Sequence, residues 1–167
     1  MAEILKRLTE ARGVTGNENE VREIILEQAT KAGARVSVDR MGNVIAVKKG
    51  RTSTKKIMVA AHMDEVGLII SSISDNGMLK FKLVGGIDQR ILLSKRVRIG
   101  KDGVPGVIGV KAIHLQEPDE RNTVVLQKQM VIDIGAFSGE EARKVVALGD
   151  YASFDSAFVP FGDNKVK

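Results

Sequence analysis

From Val66 to Phe154 the chain runs through short β-type segments separated by turn signals, a pattern that restricts this stretch to a small barrel or sandwich. The predicted strands cover residues 68–73, 78–84, 91–99, 104–110, 130–134 and 151–154. Asp75-Asn76-Gly77, Gly85-Gly86 and Lys101-Asp102-Gly103 supply turns between them. Gly106 and Gly109 inside one strand favour a bulge or tight bend. Ser138 followed by Glu140-Glu141 predicts a capped helix running to about Leu148. Aromatic residues make up only 4% of the chain, so any core must be aliphatic.

The first third has a different texture. Ile4, Leu5 and Leu8 share one face of a predicted helix over residues 3–11. Gly13-Val14-Thr15-Gly16 breaks it, and Asn17 with Glu20 resembles a capping box that opens a second helix. That helix carries Val21, Ile24, Ile25, Ala29 and Ala32, and Gly33 sits where a left-handed residue ends it. The apolar period then changes from helical to alternating. Strands are predicted over 35–39 and 43–47, with Met41-Gly42-Asn43 as the turn and a polar loop over 50–54. Residues 57–61, Ile-Met-Val-Ala-Ala, are continuously apolar and predict a strand covered on both faces. Helices followed by strands point to an α/β layer, with a boundary near Val66 to Leu68.

The predicted buried strand runs into His62-Met63-Asp64-Glu65. In a His-x-Asp the carboxylate can accept the spare imidazole N–H, which fixes the tautomer and strengthens the other nitrogen as a metal ligand. The carboxyl end of a sheet strand is also where α/β sites collect. His62 is therefore the candidate metal ligand and Asp64 the acid that orients it. A structural histidine at the end of a strand is the competing reading. Glu65 reads better as a polar residue where the chain leaves the sheet than as a ligand or base. His114 reads better as structural within the β-rich region than as a second metal ligand. Glu140 and Glu141 read as first-turn acids placed by capping and the helix dipole. Neither glycine-rich piece ends in the Lys-Ser/Thr of a phosphate loop, and no Gly-x-Ser-x-Gly elbow occurs.

The remaining counts narrow the function classes. There is no cysteine, which excludes disulfides and thiolate zinc sites and fits a reducing, cytoplasmic setting. The N-terminal residues lack the apolar run of a signal peptide, and no segment approaches a membrane span. The net charge is +5, but lysine and arginine are scattered among acids and there is no tryptophan. Neither a nucleic-acid nor a membrane partner is expected.

Val59-Ala60-Ala61-His62-Met63-Asp64-Glu65-Val66-Gly67 resembles the first metal-ligand motif of the tetrahedral aminopeptidases, peptidase family M forty-two, whose members also carry glutamyl or deblocking aminopeptidase and endoglucanase labels. Gly13-Val14-Thr15-Gly16-Asn17-Glu18, Asp39-Arg40-Met41-Gly42-Asn43, Val84-Gly85-Gly86-Ile87-Asp88, Pro105-Gly106-Val107-Ile108-Gly109 and Ile132-Asp133-Ile134-Gly135-Ala136 are similar to further family segments, in order. The resemblance implies an incomplete α/β zinc-peptidase-like catalytic segment followed by an inserted PDZ-like β-barrel domain. The implied divisions are 1–67 for the catalytic part, 68–160 for the barrel and 161–167 for the return.

The resemblance also implies two divalent ions, zinc or cobalt, that activate water for the removal of N-terminal residues from peptides. It implies assembly from dimer to dodecamer. Of the family's ligands only His62 carries over, with Asp64 behind it; the bridging aspartate, the glutamate base and the remaining ligands are expected beyond Lys167. These residues alone are thus expected to be an N-terminal portion without peptidase activity that associates with itself or with a missing C-terminal half. A non-catalytic assembly module is the alternative, and glycoside hydrolysis ranks third because no aromatic platform for sugar rings is evident.

Overall fold

Apolar alternation along Gly67–Ile73 (β3) and Leu79–Val84 (β4) sends Leu68, Ile70, Leu79 and Phe81 to one side, where all four are buried. The computed structural model describes residues 2–52, 55–115, 117, 123–163 and 165–166, without the side chain of Ile113. Within them the chain divides into two compact units, Glu65–Ser156 and Met1–Asp64 with Ala157–Lys167.

The unit Glu65–Ser156 is a closed antiparallel barrel. Its remaining strands are Arg96–Ile99 (β5), Val104–Gly109 (β6), Val131–Asp133 (β7) and Tyr151–Phe154 (β8), and the order around it is β3-β4-β7-β6-β5-β8. A register shift between Ile70 and Ser72 marks a bulge in β3. The ladder is thinnest between β4 and β7, which pair only at Leu79 and Ile132. Side chains take over there. The Gln127 amide donates to the Phe81 carbonyl, and the Gln127 backbone N–H donates to Gln89 Oε1 at 2.6 Å. One apolar cluster fills the interior, including Phe81, Leu92, Ile99, Ile108, Met130 and Ile132.

Ser153 is 3% exposed and, among the described residues, its hydroxyl has no hydrogen-bond partner. A buried unsatisfied hydroxyl costs free energy, so Ser153→Ala is expected to stabilise the barrel by about 1 kcal/mol. Chemical denaturation of the two proteins measures this.

Two barrel elements are shorter than the sequence predicts. The expected strand over 91–99 is confined to β5. Ahead of it, Asp88 caps a single helical turn, Gln89–Ile91, by accepting the Arg90 N–H at 3.0 Å. The helix expected to reach Leu148 is Gly139–Arg143 (α3). Its continuation is drawn into a turn, because Asp150 accepts the Ala147 N–H at 2.8 Å and Gly149 donates to the Ile70 carbonyl of β3 at 2.9 Å. Parts of the charged 115–129 stretch, Gln116 and residues 118–122, lie outside the described residues.

In the other unit, Ala2–Glu10 (α1) and Asn19–Lys31 (α2) are followed by the hairpin Arg35–Val38 (β1) and Val44–Val47 (β2). Gly33 takes φ +74° just past α2, the left-handed value its position predicts. The hairpin turn is organised by the Asp39 carboxylate, which accepts from the backbone N–H of Met41 and Asn43 and from the Asn43 side chain. These bonds, the Asn43 side chain's foremost, hold Asp39 below the usual carboxylate range. Arg7 pairs with Glu27 at 2.5 Å between α1 and α2, and that contact with Lys31 pulls Glu27 down to about 2. A two-residue ladder, Pro160–Phe161 (β9) with Lys165–Val166 (β10), belongs to the same unit.

Two expectations fail here. The capping box is not formed: α2 is capped by Glu18 without a side-chain hydrogen bond. The Asn17 N–H turns back to the Val14 carbonyl at 2.7 Å, and Glu20 bonds the backbone and side chain of Arg12. The buried strand over 57–61 is also absent. Ile57, Met58 and Val59 are 89%, 90% and 91% exposed, and no strand is assigned to them. A central strand exists only when neighbouring strands complete its ladder and layers cover its faces. Among the described residues no such neighbour is present. The 50–54 loop includes Ser53 and Thr54, which lie outside the described residues. Buried apolar residues in this unit come down to Val14 and Val21, against the full cluster of the barrel.

Candidate metal centre

His62 follows the exposed 57–61 segment, with its side chain 85% exposed. Its Nδ1 lies 3.0 Å from the Asp64 carbonyl oxygen and 3.1 Å from Asp64 Oδ1. Both neighbours are acceptors, so the neutral ring is assigned its proton on Nδ1. The lone pair is then on Nε2, at the far side of an exposed ring. Asp64 is itself held: the Thr15 hydroxyl donates to Oδ2 at 2.7 Å. That bond, followed by the His62 contact, keeps the Asp64 carboxyl below its usual range against an opposing desolvation.

The local chain explains why Thr15 is in place. Val14 is 2% exposed and anchors the segment. The Asn17 N–H closes a β-turn on the Val14 carbonyl, with Gly16 at φ +92° in its third position. A side chain is strained at that angle, and glycine is not. Gly13 lies so close to Val21 and to the Met63 carbonyl that an added Cβ would be 2.7 Å from Val21 Cγ2 and 3.2 Å from Met63 O. Gly13 is thereby held against the residue next to Asp64. Sequence reasoning treated Thr15 only as part of a family segment. No local signal links two residues 49 positions apart.

An imidazole nitrogen with a carboxylate behind it suits divalent ions such as zinc or cobalt. One such donor fits one coordination position and not a whole site. Among the described residues no group of three or more His, Asp or Glu side chains comes together to hold a metal. Glu65 begins the barrel unit and is exposed. His114 is exposed, on a single turn, Ile113–Leu115, of that unit. Glu141 caps α3: its backbone N–H bonds Ser138 Oγ at 3.1 Å, and its carboxylate accepts the Phe137 N–H at 2.9 Å. Glu140 of the same short helix faces Lys144, just past its end, at 3.8 Å.

An open cleft of about 410 Å³ runs over β5, β6 and the end of β7. Its principal charges are mutually engaged, because Asp155 is 3.2 Å from Arg98 and 3.6 Å from Arg96. Among the described residues no helix is long and apolar enough to cross a membrane.

A family profile described as M42 glutamyl aminopeptidase matches residues 42–167, and a second, AMPT, matches residues 1–25. A curated protein of Acetivibrio thermocellus that carries an aminopeptidase name is 43% identical over 166 residues, covering 99% of this chain and 48% of its own length. The solved TET aminopeptidase of Thaumarchaeota archaeon SCGC AB-539-E09 superposes with a TM-score of 0.89 at 40% identity, covering 96% of this chain and 46% of that one. The Pyrococcus horikoshii TET1 peptidase, described as assembling into a tetrahedron or a large octahedral shell, gives a TM-score of 0.79 at 38% identity over 94% of this chain and 47% of its own. The chain spans about half the length of the curated relatives it matches.

Proposed function

Because this chain belongs to the M42 glutamyl aminopeptidase family, we propose that it supplies part of a metal-dependent aminopeptidase, an enzyme that hydrolyses residues from the N-termini of peptides. The observation that carries this reading is the exposed His62 ring, its Nδ1 occupied by Asp64 and its Nε2 left outward. His62 would hold one of two divalent ions, zinc or cobalt. Bound ions of this kind polarise a carbonyl oxygen and lower the pKa of a water molecule. Asp64 keeps the proton on Nδ1 and sets the plane of the ring.

A catalytic zinc takes three protein ligands, and His62 is one. The other ligands and the general base would come from polypeptide corresponding to the other half of the relatives. These 167 residues alone are therefore proposed to be inactive. The unit Met1–Asp64 with Ala157–Lys167 would be the zinc-peptidase-like part, and its exposed 57–61 segment a sheet strand awaiting neighbours. The closed barrel would be the inserted PDZ-like domain and a contributor to assembly, as the shells described for the Pyrococcus horikoshii relative suggest. The absence of cysteine supports a cytoplasmic location.

A non-catalytic assembly module is the second reading. It is favoured by one observation, that the buried cluster lies in the barrel and the metal-ligand candidate outside it. Metal separates the two. In a cobalt(II) titration followed by NMR, line broadening is expected to centre on residues around His62, namely Thr15, Met63 and Asp64. His62→Ala should abolish it. Broadening centred elsewhere, or surviving the substitution, contradicts the enzymatic reading.

A further inference from the structure

We propose that Thr15 is a positioning residue for His62: its hydroxyl fixes the Asp64 carboxylate so that the carboxylate holds the imidazole Nδ1–H and presents Nε2 outward. The inference rests on the reading of His62 as a metal ligand and extends it by one residue. Thr15 Oγ1 donates to Asp64 Oδ2 at 2.7 Å, and the other carboxylate oxygen, Oδ1, faces His62 Nδ1 at 3.1 Å beside the Asp64 backbone carbonyl at 3.0 Å. The two oxygens thus have separate duties, one fastened and one serving the ring.

The fastening is needed because both acidic and imidazole groups are open to solvent, with side chains 38% and 85% exposed. No surrounding core restrains their rotamers. An aspartate with only one exposed partner exchanges that partner for water at little cost. A second hydrogen bond to a rigid donor removes that freedom. Thr15 is such a donor, because it stands in a turn closed by the 2.7 Å bond from Asn17 to Val14 and anchored by buried Val14. A hydroxyl suits the role, since it donates to an ionised carboxylate without adding a positive charge that would repel a metal ion.

The test uses the full chain, labelled with nitrogen-15. The tautomer of His62 is read from its ring nitrogen shifts in wild type, Thr15→Val and Thr15→Ser. Valine preserves the branched shape and removes the donor, and serine keeps the donor and removes the methyl group. The Nδ1–H form is expected to dominate in wild type and in Thr15→Ser, and its fraction to fall in Thr15→Val, where the Asp64 backbone carbonyl is left to hold Nδ1 without a fastened carboxylate. Cobalt(II) affinity at His62, from the broadening titration, is expected to fall about tenfold in Thr15→Val, the low end of what losing an outer-shell partner costs. Serine should restore it. A valine variant that keeps the wild-type tautomer and affinity overturns the proposal, as does a serine variant that fails to recover them. Should cobalt leave His62 untouched in wild type, the metal-ligand reading falls. The tautomer comparison still decides whether Thr15 positions the ring.

Discussion

Phe81→Ala is expected to cost the barrel about 3–5 kcal/mol, as large-to-small substitution of a buried phenylalanine does. Phe81 is 2% exposed, sits in the middle of β4 and is one of the largest side chains of the cluster. Against a typical domain stability of about 5–15 kcal/mol, that cost is a large share of the whole. Urea denaturation of the two proteins measures it. Lys82→Ala, on the outward face of the same strand, is expected to stay within about 0.5 kcal/mol. A difference below about 1 kcal/mol for Phe81→Ala would mean that the barrel interior is not close-packed at that ring.

The second expected result concerns turnover. The 167 residues alone, given zinc or cobalt, should release no amino acid from an aminoacyl chromogenic substrate. In the proposed reading His62 is one donor where a catalytic ion takes three, and among the described residues no cluster adds the others. Co-expression with a polypeptide that carries the other half of an M42 catalytic domain is expected to bring activity back, by at least about a millionfold over the uncatalysed rate. Pairing on the exposed 57–61 segment would also protect its amides from hydrogen exchange. Turnover by the chain alone, well above background, contradicts the proposal.

The barrel was the more legible part of the fold, because its information is local. Alternation in β3 and β4, the Asp75-Asn76-Gly77 turn and the Ser138 cap each specify structure within a few residues. Legibility failed where a competing hydrogen bond intervened. A turn closed from Lys95 N–H to the Leu92 carbonyl took the first part of a predicted strand, and Asp150 shortened α3. It failed differently at 57–61. There the composition of a buried strand is plain, yet a strand is a property of its neighbours as much as of its own residues. The pairing of His62 with Asp64 could be foreseen from a spacing of two. The hydroxyl of Thr15, 49 residues away, could not, because only the folded turn brings it there.

The strands that open and close the barrel, β3 and β8, are hydrogen-bonded neighbours, with Leu68 opposite Ala152. Antiparallel partners stand about 4.5–5.5 Å apart, so the path into this unit and the path out of it begin side by side. A segment whose two ends lie this close can in general be placed in, or cut from, a surface loop without changing the distance the receiving backbone spans. That makes the barrel a transplantable cassette. Such a cassette could be lost, acquired or exchanged in one genetic event while the surrounding scaffold keeps its geometry.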